Sequence, residues 1–138
     1  MENKRINLKL AKEFFETARA DLKSAEILLK ANNFNNSIYH SQQTAEKAIK
    51  ALLVLKNKFV ESHFVADIAK DFLNEKVYEY AKSLEKNWII TRYPFRRKSE
   101  IWSPVKAFTR TDAVDALKKA KFVFNSILKI LKKMGVEI

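Results

Sequence analysis

The stretch YHSQQTAEKAIKALL, residues 39–53, decides the fold. In and around it, apolar and small residues recur every three or four positions, the spacing that places side chains on one face of an α-helix. The residues on this stripe are Ile38, Ser41, Ala45, Ala48, Leu52 and Leu55, with Ile49 and Leu53 widening it. The spacing predicts a helix over about residues 35–56. The small residues on the stripe predict close approach of a neighbouring helix.

Three further segments have helical character. One spans about residues 8–31, a less regular one spans about residues 64–88, and the last begins near Thr111 and Asp112 and ends at Gly135. Helices with a single apolar stripe and short connections pack as a bundle. The sequence therefore predicts an all-α, up-and-down four-helix bundle. We expect one domain over residues 1–138, with its core in about residues 8–134.

Short polar runs separate these segments. Asn32 and Asn33 are expected to end the first helix, and residues 35–37 (Asn-Asn-Ser) offer caps for the second. Asn74 is expected to divide the third segment. Both prolines lie in residues 89–110, which predicts an irregular or short-helical insertion before the last helix.

The composition excludes several kinds of site. The chain has one glycine and no cysteine. Phosphate-binding loops of the P-loop and dinucleotide type need several glycines, whereas disulfides and thiol catalysis need cysteine. The two histidines lie far apart in sequence, without a carboxylate at ligand spacing, so we expect no metal site. We also expect no cofactor.

The distribution of apolar residues bears on the compartment. No uncharged apolar run approaches the roughly 18 residues that a membrane span needs. The first residues also lack the apolar core of a signal peptide. Together with the absence of cysteine, this predicts a soluble, cytoplasmic protein that has no membrane partner.

Positive charge is concentrated in one part of the chain. The formal net charge is +11, and residues 86–110 contain seven lysines and arginines against one acidic residue, Glu100. Aromatic residues alternate with these charges, as they do in surfaces that bind phosphates and stack on bases. We expect Arg96, Arg97 and Lys98 to be exposed. In the alternative interpretation the aromatics, above all Trp88 and Phe108, anchor the insertion on the bundle.

Two polar residues occupy unusual positions on the second helix. At 100° per residue, Gln42 lies inside the apolar arc and Glu46 lies at its edge. A buried carboxylate needs a partner, and the fork of an arginine matches it well. We predict that Arg92 supplies this partner. Gln42, Glu46 and Arg92 would then form an anion or nucleotide site, or an internal ion pair that holds the insertion on the bundle.

The two histidines have different predicted positions. His40 falls on the side of the second helix opposite the apolar arc, so we expect it to face solvent or a partner chain. His63 precedes the third helical segment and is expected to cap it. A catalytic or ligand-binding role is the alternative for each.

The order of these motifs resembles that of the HEPN domain family. The matching segments are ARADLKSAEILL (residues 18–29), YHSQQTAEKAIKALL (39–53), Ser62-His63, Arg92-Tyr93-Pro94 and TDAVDALKKA (111–120). Together they cover roughly residues 11–131. The resemblance implies a helical bundle that dimerises and is often encoded beside a minimal nucleotidyltransferase. Many members of the family are ribonucleases that act as toxins or defence effectors, and others bind nucleotides or RNA without cleaving them.

One departure from the family's nuclease pattern bears on activity. The nucleases have an arginine and a histidine with four to six residues between them, whereas the positions after Arg92 hold Arg97, Lys98 and Ser99. A metal-independent ribonuclease needs a group that shuttles the proton of the 2′-hydroxyl, and arginine does not release its proton near neutral pH. The resemblance therefore implies a binding protein rather than an enzyme.

The leading hypothesis is a non-catalytic, homodimeric module that binds nucleotide or single-stranded RNA. It would partner a minimal nucleotidyltransferase in a toxin–antitoxin-like or defence system. The residues predicted to make contact are Gln42, Glu46, Arg92, Tyr93, Arg96, Arg97 and Lys98. One alternative is a metal-independent endoribonuclease toxin with a degenerate site of Arg92, Glu46 and His63. Another is a protein-interaction module whose basic face docks an acidic antitoxin.

Overall fold

The structure, a computed structural model, describes residues 2–138. Its helices are α1 (Glu2–Lys30), α2 (Phe34–Leu55), α3 (Ala66–Ala69), α4 (Glu75–Glu85), α5 (Asn87–Ile90), α6 (Pro104–Ala107) and α7 (Arg110–Lys133). A 3₁₀ turn (Lys70–Phe72) follows α3, and the strands β1 (Phe95–Arg97) and β2 (Glu100–Trp102) lie between α5 and α6. The four longer helices, α1, α2, α4 and α7, form an all-α bundle, which confirms the predicted fold class.

Helix α2 lies at the centre of the bundle. It packs against α1, α4 and α7, and nearly all of its residues from Ser37 to Val54 are buried. The predicted stripe is buried with them, including the small residues Ser41, Ala45 and Ala48. Large apolar side chains such as Leu52 and Leu53 contribute about 1.5–3 kcal/mol each when they leave water. The polar residues of α2 therefore have to find partners inside the protein.

The other core contacts come from α1 and α7. Phe15 of α1 stacks on Phe124 of α7 with ring centroids 4.4 Å apart. Ile127 and Leu131 of α7 are fully buried in the same cluster. The apolar stripe of the last helix thus faces the core, as its spacing predicts.

Several helices begin, or are capped, at residues other than those predicted. Helix α1 begins at Glu2 rather than near residue 8, because polar residues that favour helix continue it beyond the apolar stripe. Helix α2 begins at Phe34, so residues 35–37 lie inside it and do not cap it. Helix α7 is capped by Thr109 and Asp112 as a capping box, two residues before the predicted cap.

Three residues that were predicted to end or divide helical segments are confirmed in that role. Asn32 follows α1 with a φ of 61°, a left-handed conformation that ends a helix and that asparagine tolerates. The side chain of Asn74 accepts a hydrogen bond from the backbone N–H of Val77 at 2.9 Å, so it separates α4 from α3. Gly135 ends α7 with a φ of 82°.

The predicted irregular insertion contains regular structure. Its first two residues, Ile89 and Ile90, belong to α5, and Phe95 to Trp102 form an antiparallel hairpin with Arg96 opposite Ile101. The two-residue turn is made by Lys98 and Ser99, with Lys98 at a φ of 58°. Helix α6 then leads into α7. The insertion therefore contains a β-hairpin as well as short helices.

Candidate functional site

A strip of polar side chains follows the outer side of α2. At 100° per residue it spans about a third of the helix circumference. Its members are Asn36, Tyr39, His40, Gln43, Glu46, Lys47 and Lys50. Helix α1 borders the strip on one side, where Asp21 contacts His40 and Lys47. The segment around His63 borders it on the other, where His63 contacts Glu46.

Glu46 is the centre of a buried hydrogen-bond cluster. The residue is only 4% exposed. Gln42 donates to its Oε1 at 3.0 Å, and the Lys50 ammonium donates to its Oε2 at 3.0 Å. The Nε2 of Gln43 lies 2.7 Å from the side-chain oxygen of Gln42 and extends the cluster. The predicted burial of Gln42 and Glu46 is therefore confirmed.

The predicted ion pair between Arg92 and Glu46 is wrong. In residues 2–138 Glu46 forms an ion pair with Lys50, one helical turn along, and its Oε2 lies 3.2 Å from Nδ1 of His63. Lys50 supplies the positive charge that was predicted to come from Arg92. Arg92 instead donates from its Nε to the backbone carbonyl of Trp88 at 3.0 Å.

Arg92 packs against three aromatic rings. Its guanidinium carbon lies 4.7 Å from the ring centroid of Tyr39, 5.0 Å from that of Tyr93 and 5.2 Å from that of Trp88. The weak hydration of a guanidinium favours such stacking. No carboxylate forms an ion pair with Arg92 in the part of the chain that the structure describes.

His63 does not cap the third helical segment. Its Nδ1 lies 3.2 Å from Oε2 of Glu46, and its ring stacks on Trp88 at 4.1 Å. The N–H of Ala66, at the start of α3, donates instead to Glu85 at 2.7 Å. Burial raises the pKa of Glu85, while this hydrogen bond opposes the change. His63 is left with 46% of its side chain exposed, and it shares its contact with Trp88 with Arg92.

His40 is half-buried rather than free in solvent. Its Nδ1 lies 2.8 Å from Oδ1 of Asp21, and the Lys47 ammonium donates to Oδ2 at 2.6 Å. Burial alone would raise the pKa of Asp21, but the hydrogen bonds from His40 and Lys47 outweigh it and hold the pKa below its usual value. Each histidine therefore has a carboxylate partner from another part of the chain. The sequence spacing gave no sign of either pair.

The hairpin presents exposed cations. Arg96, Arg97 and Lys98 are all exposed, as predicted, and the Arg96 Nε donates to the carbonyl of Lys98 at 2.8 Å. Tyr93 and Phe95 are also exposed. The segment from Arg92 to Lys98 thus combines unpaired guanidinium groups with accessible aromatic rings.

Aromatic residues fix the hairpin to the bundle. The Trp102 indole N–H donates to the carbonyl of Ile90 at 2.7 Å, and its ring stacks on Phe95 at 5.8 Å. Phe108 contacts Trp102 edge-on and packs against the core. Trp88 and Phe108 are half-buried, which fits their predicted anchoring role. Trp102 is an anchor that the sequence did not identify.

The structure divides the predicted site residues into two neighbouring groups. Gln42 and Glu46 form the buried cluster, which reaches the surface at His63. Arg92 contacts Trp88, as His63 does, while Arg96, Arg97 and Lys98 continue along the hairpin. Trp88 was predicted as an anchor of the insertion but not as a contact of Arg92. The contact of Tyr39 with Arg92 was not predicted because Tyr39 lies on α2, far from Arg92 in sequence.

Residues 2–138 contain no group of three or more His, Cys, Asp or Glu residues that could hold a metal ion. None of their helices is both long enough and apolar enough to cross a membrane.

Fold and surface together define a basic, all-α bundle protein with an arginine- and aromatic-rich hairpin before its last helix. The family model of the HEPN domain matches residues 11–131. The chain belongs to the HEPN domain family.

Known proteins of the following kinds are similar to this chain in sequence or structure. The chain is 36% identical to "Putative toxin MJ1304" of Methanocaldococcus jannaschii, and the match covers 96% of this chain and 95% of that protein. The crystal structure of TT1696 from Thermus thermophilus is similar, with a TM-score of 0.76, 27% identity, and coverage of 86% of this chain and 96% of that one. ST0689, an archaeal HEPN homologue, has the same fold, with a TM-score of 0.72, 22% identity, and coverage of 88% and 97%.

Proposed function

We propose that this HEPN protein binds single-stranded RNA or a nucleotide through the surface from Arg92 to Lys98, without cleaving it. Phosphate is the group that such a surface recognises, since arginine offers a planar set of donors to its oxygens. The exposed rings of Tyr93 and Phe95 supply platforms on which bases stack whatever their sequence.

The observation that carries this proposal is the environment of Arg92. Three aromatic rings orient its guanidinium, and no carboxylate pairs with it in residues 2–138. An arginine that only stabilised the fold would be expected to use its terminal nitrogens in contacts within the chain. Here only Nε is engaged, with the Trp88 carbonyl. The terminal nitrogens therefore remain for an anion.

The wider role that we propose is that of a toxin-like or defence module. The support is the 36% identity to a protein named as a toxin over nearly the whole of both chains. In this proposal the chain is a homodimer and acts with a minimal nucleotidyltransferase. Co-expression with the protein encoded beside it tests this partnership by co-purification.

The binding proposal is tested by titrating labelled single-stranded RNA and ATP against the full chain. We expect salt-dependent RNA binding that weakens about tenfold in Arg92→Ala, a loss typical of one good arginine contact. Arg5→Ala, which removes an exposed charge on α1, serves as the matched control and should leave binding nearly unchanged. Equal affinity of the Arg92→Ala and Arg5→Ala proteins would exclude the proposed role of Arg92.

The contact between His63 and Glu46 favours a second candidate, a metal-independent endoribonuclease. A carboxylate that orients one ring nitrogen leaves the other free to take and return a proton near neutral pH. Glu46 lies 3.2 Å from Nδ1 of His63, whose 46% exposed ring stacks on Trp88, the ring that Arg92 also contacts. This arrangement could assist attack of a 2′-hydroxyl on a phosphate held by Arg92.

Cleavage of labelled RNA in the presence of EDTA distinguishes the two candidates. A nuclease would lose activity in both His63→Gln and Arg92→Ala and would keep it in His40→Gln. Growth arrest on expression that disappears in His63→Gln would also support the nuclease. RNA binding without cleavage by the wild-type chain would support the binding module.

A further inference from the structure

A cavity of about 330 Å³ lies where α7 begins beside α5 and α6. Its apolar walls are formed by Ile38, Leu84, Ile90, Phe108 and Ala116. The volume falls within the range of about 300–1,000 Å³ that is usual for small-molecule sites. None of its lining residues belongs to the clusters around Glu46 or Arg92.

Asn87 is the unusual residue of this cavity. It is only 7% exposed, yet none of the hydrogen bonds within residues 2–138 uses its side-chain amide. Its backbone carbonyl accepts from the Thr91 hydroxyl at 2.7 Å, so the backbone is satisfied. The buried side-chain polar atom without a partner in residues 2–138 is Ser41 Oγ, so the Asn87 amide, which also lacks a partner within the chain, still has solvent contact. The amide is therefore free to pair with a molecule in the cavity.

The charges around the cavity are balanced. Lys119 lies 2.9 Å from a carboxylate oxygen of Asp115 and donates to the Ser83 hydroxyl at 2.9 Å. Asp112 accepts from the backbone N–H of Thr109 at 2.8 Å and completes the helix cap. These contacts leave Lys86 as the only other charged residue of the lining. Such a lining suits an uncharged ring better than a phosphate.

The cavity adjoins the proposed RNA surface. Ile90 lines both this cavity and a second cleft, of about 440 Å³, which contains Arg97 and Trp102 of the hairpin. A strand whose phosphates contact the hairpin can therefore direct one base toward Asn87. Single-stranded RNA presents its bases unstacked in this way.

We infer that the Asn87 cavity binds an adenine base. The side-chain amide of asparagine matches the donor and acceptor that adenine presents side by side on its N6 and N7 edge. The ring of Phe108 offers an apolar surface for the base. The cavity would thus give a base preference to an RNA surface whose arginines contact phosphates only. The delivery of the base by RNA rests on the proposed function, whereas its recognition by Asn87 does not.

The first test uses nucleosides, which lack phosphate and so do not depend on the arginines. Uniformly ¹⁵N-labelled wild-type chain is titrated to millimolar concentration with adenosine, guanosine, cytidine and uridine. We expect adenosine to shift the Asn87 side-chain amide signals and the backbone signals of Ala107 and Ala116. Uridine serves as the control. The absence of these shifts with adenosine, or equal shifts with uridine, would overturn the inference.

The second test measures base preference in RNA. Anisotropy titrations compare oligo(A) with oligo(U) of equal length for the wild type, Asn87→Leu and Asn87→Asp. We expect the wild type to prefer oligo(A) by about tenfold, as for one bidentate base contact, and both variants to lose this preference. Asn125→Asp, at an exposed position on α7, is the control for the added charge.

The two tests separate the possible failures. If the chain binds no RNA but adenosine shifts Asn87, the proposed function fails and the adenine site stands. If adenosine shifts Asn87 but the wild type binds oligo(A) and oligo(U) equally, the adenine site stands and the base preference in RNA fails. Circular dichroism verifies that each variant is folded. Asn87→Asp retains the shape of the side chain if Asn87→Leu does not fold.

Discussion

Two groups of basic residues in this chain have opposite surroundings. On α2, Lys47 donates to Asp21 at 2.6 Å and Lys50 donates to Glu46 at 3.0 Å. In the segment from Arg92 to Lys98, no basic side chain forms an ion pair with a carboxylate in residues 2–138. The first group is neutralised within the fold, whereas the second is oriented but not neutralised.

This difference separates charges that hold the fold from charges available to a partner. A buried ion pair makes each partner depend on the other, because an unpaired charge in the interior is strongly destabilising. An exposed cation contributes little to stability, and its charge remains available to phosphate. Substitutions on α2 should therefore change the free energy of unfolding, and substitutions on the hairpin should change binding.

The largest expected effect is at Glu46. Glu46→Gln removes the charge that neutralises Lys50, and breaking a buried pair in this way costs about 3–5 kcal/mol. We expect the free energy of unfolding, measured in urea, to fall by about 3 kcal/mol, at the lower end of that range.

Substitution of Lys50 tests whether the effect of Glu46→Gln comes from the loss of the Glu46–Lys50 ion pair. Lys50→Met removes the charge that Glu46→Gln leaves unpaired, so the double variant should recover much of the lost stability. A double variant as unstable as the sum of the two single variants would show that Glu46 and Lys50 do not act as a pair.

Asp21 should have the next largest effect, together with a defined pH dependence. Asp21→Asn weakens the hydrogen bonds to His40 and to the Lys47 ammonium, which both still contact water, and this should cost about 2 kcal/mol at neutral pH. The folded-state pKa of Asp21 lies below its usual value of 3.8, so its contribution is complete above that pH. It is lost as the pH falls through the lower folded-state pKa. Urea unfolding of both proteins at several pH values should therefore show the difference closing below about pH 3.8.

Glu85 should show a pH dependence of stability opposite to that of Asp21. Burial raises its pKa above the usual value of 4.5, so its ionised form is unfavourable in the folded state. The wild type should gain stability relative to Glu85→Gln as the pH falls through this raised pKa. A pH trend in the same direction for Asp21→Asn and Glu85→Gln would contradict the pKa direction of one of the two carboxylates.

The buried cluster around Glu46 shows which structural features could be predicted from the sequence. Helical periodicity was enough to predict that Gln42 and Glu46 are buried, because side-chain direction follows from the backbone period. The partner of Glu46 was predicted wrongly, although Lys50 lies four residues along the same helix, a spacing at which such side chains meet. His63 could not be found in this way, since it reaches Glu46 from outside the helix, 17 residues away.

The hairpin was not predicted from the sequence, for a different reason. A two-residue turn is usually marked by glycine or asparagine, which accept a positive φ. Here Lys98 adopts a φ of 58° without that signal. The prolines near the hairpin indicated irregular structure, whereas the pairing of residues 95–97 with residues 100–102 makes this segment regular.

A smaller effect, on binding alone, is expected at the hairpin. Arg96→Ala combined with Arg97→Ala should change the free energy of unfolding by no more than about 0.5 kcal/mol, since both side chains are exposed. RNA binding should weaken, and its logarithmic salt slope should fall by about 1.4, because each phosphate contact contributes about 0.7 on a single strand. Lys4→Ala combined with Arg5→Ala, which removes the same charge from α1, should leave the slope unchanged. A slope reduced equally by both pairs would indicate net charge rather than a local surface.

The smallest expected effect is at Lys98, where stability and binding should move in opposite directions. Its left-handed backbone costs a lysine about 1 kcal/mol, and asparagine tolerates this conformation better. Lys98→Asn should therefore stabilise the chain by about 0.5 kcal/mol in urea unfolding, while it weakens RNA binding through the lost charge. Lys98→Gln, which removes the charge without relieving the backbone, should weaken binding with no gain in stability. If Lys98→Asn lowered both quantities, the lysine would support the fold, and the contrast between the hairpin and α2 would fail at this position.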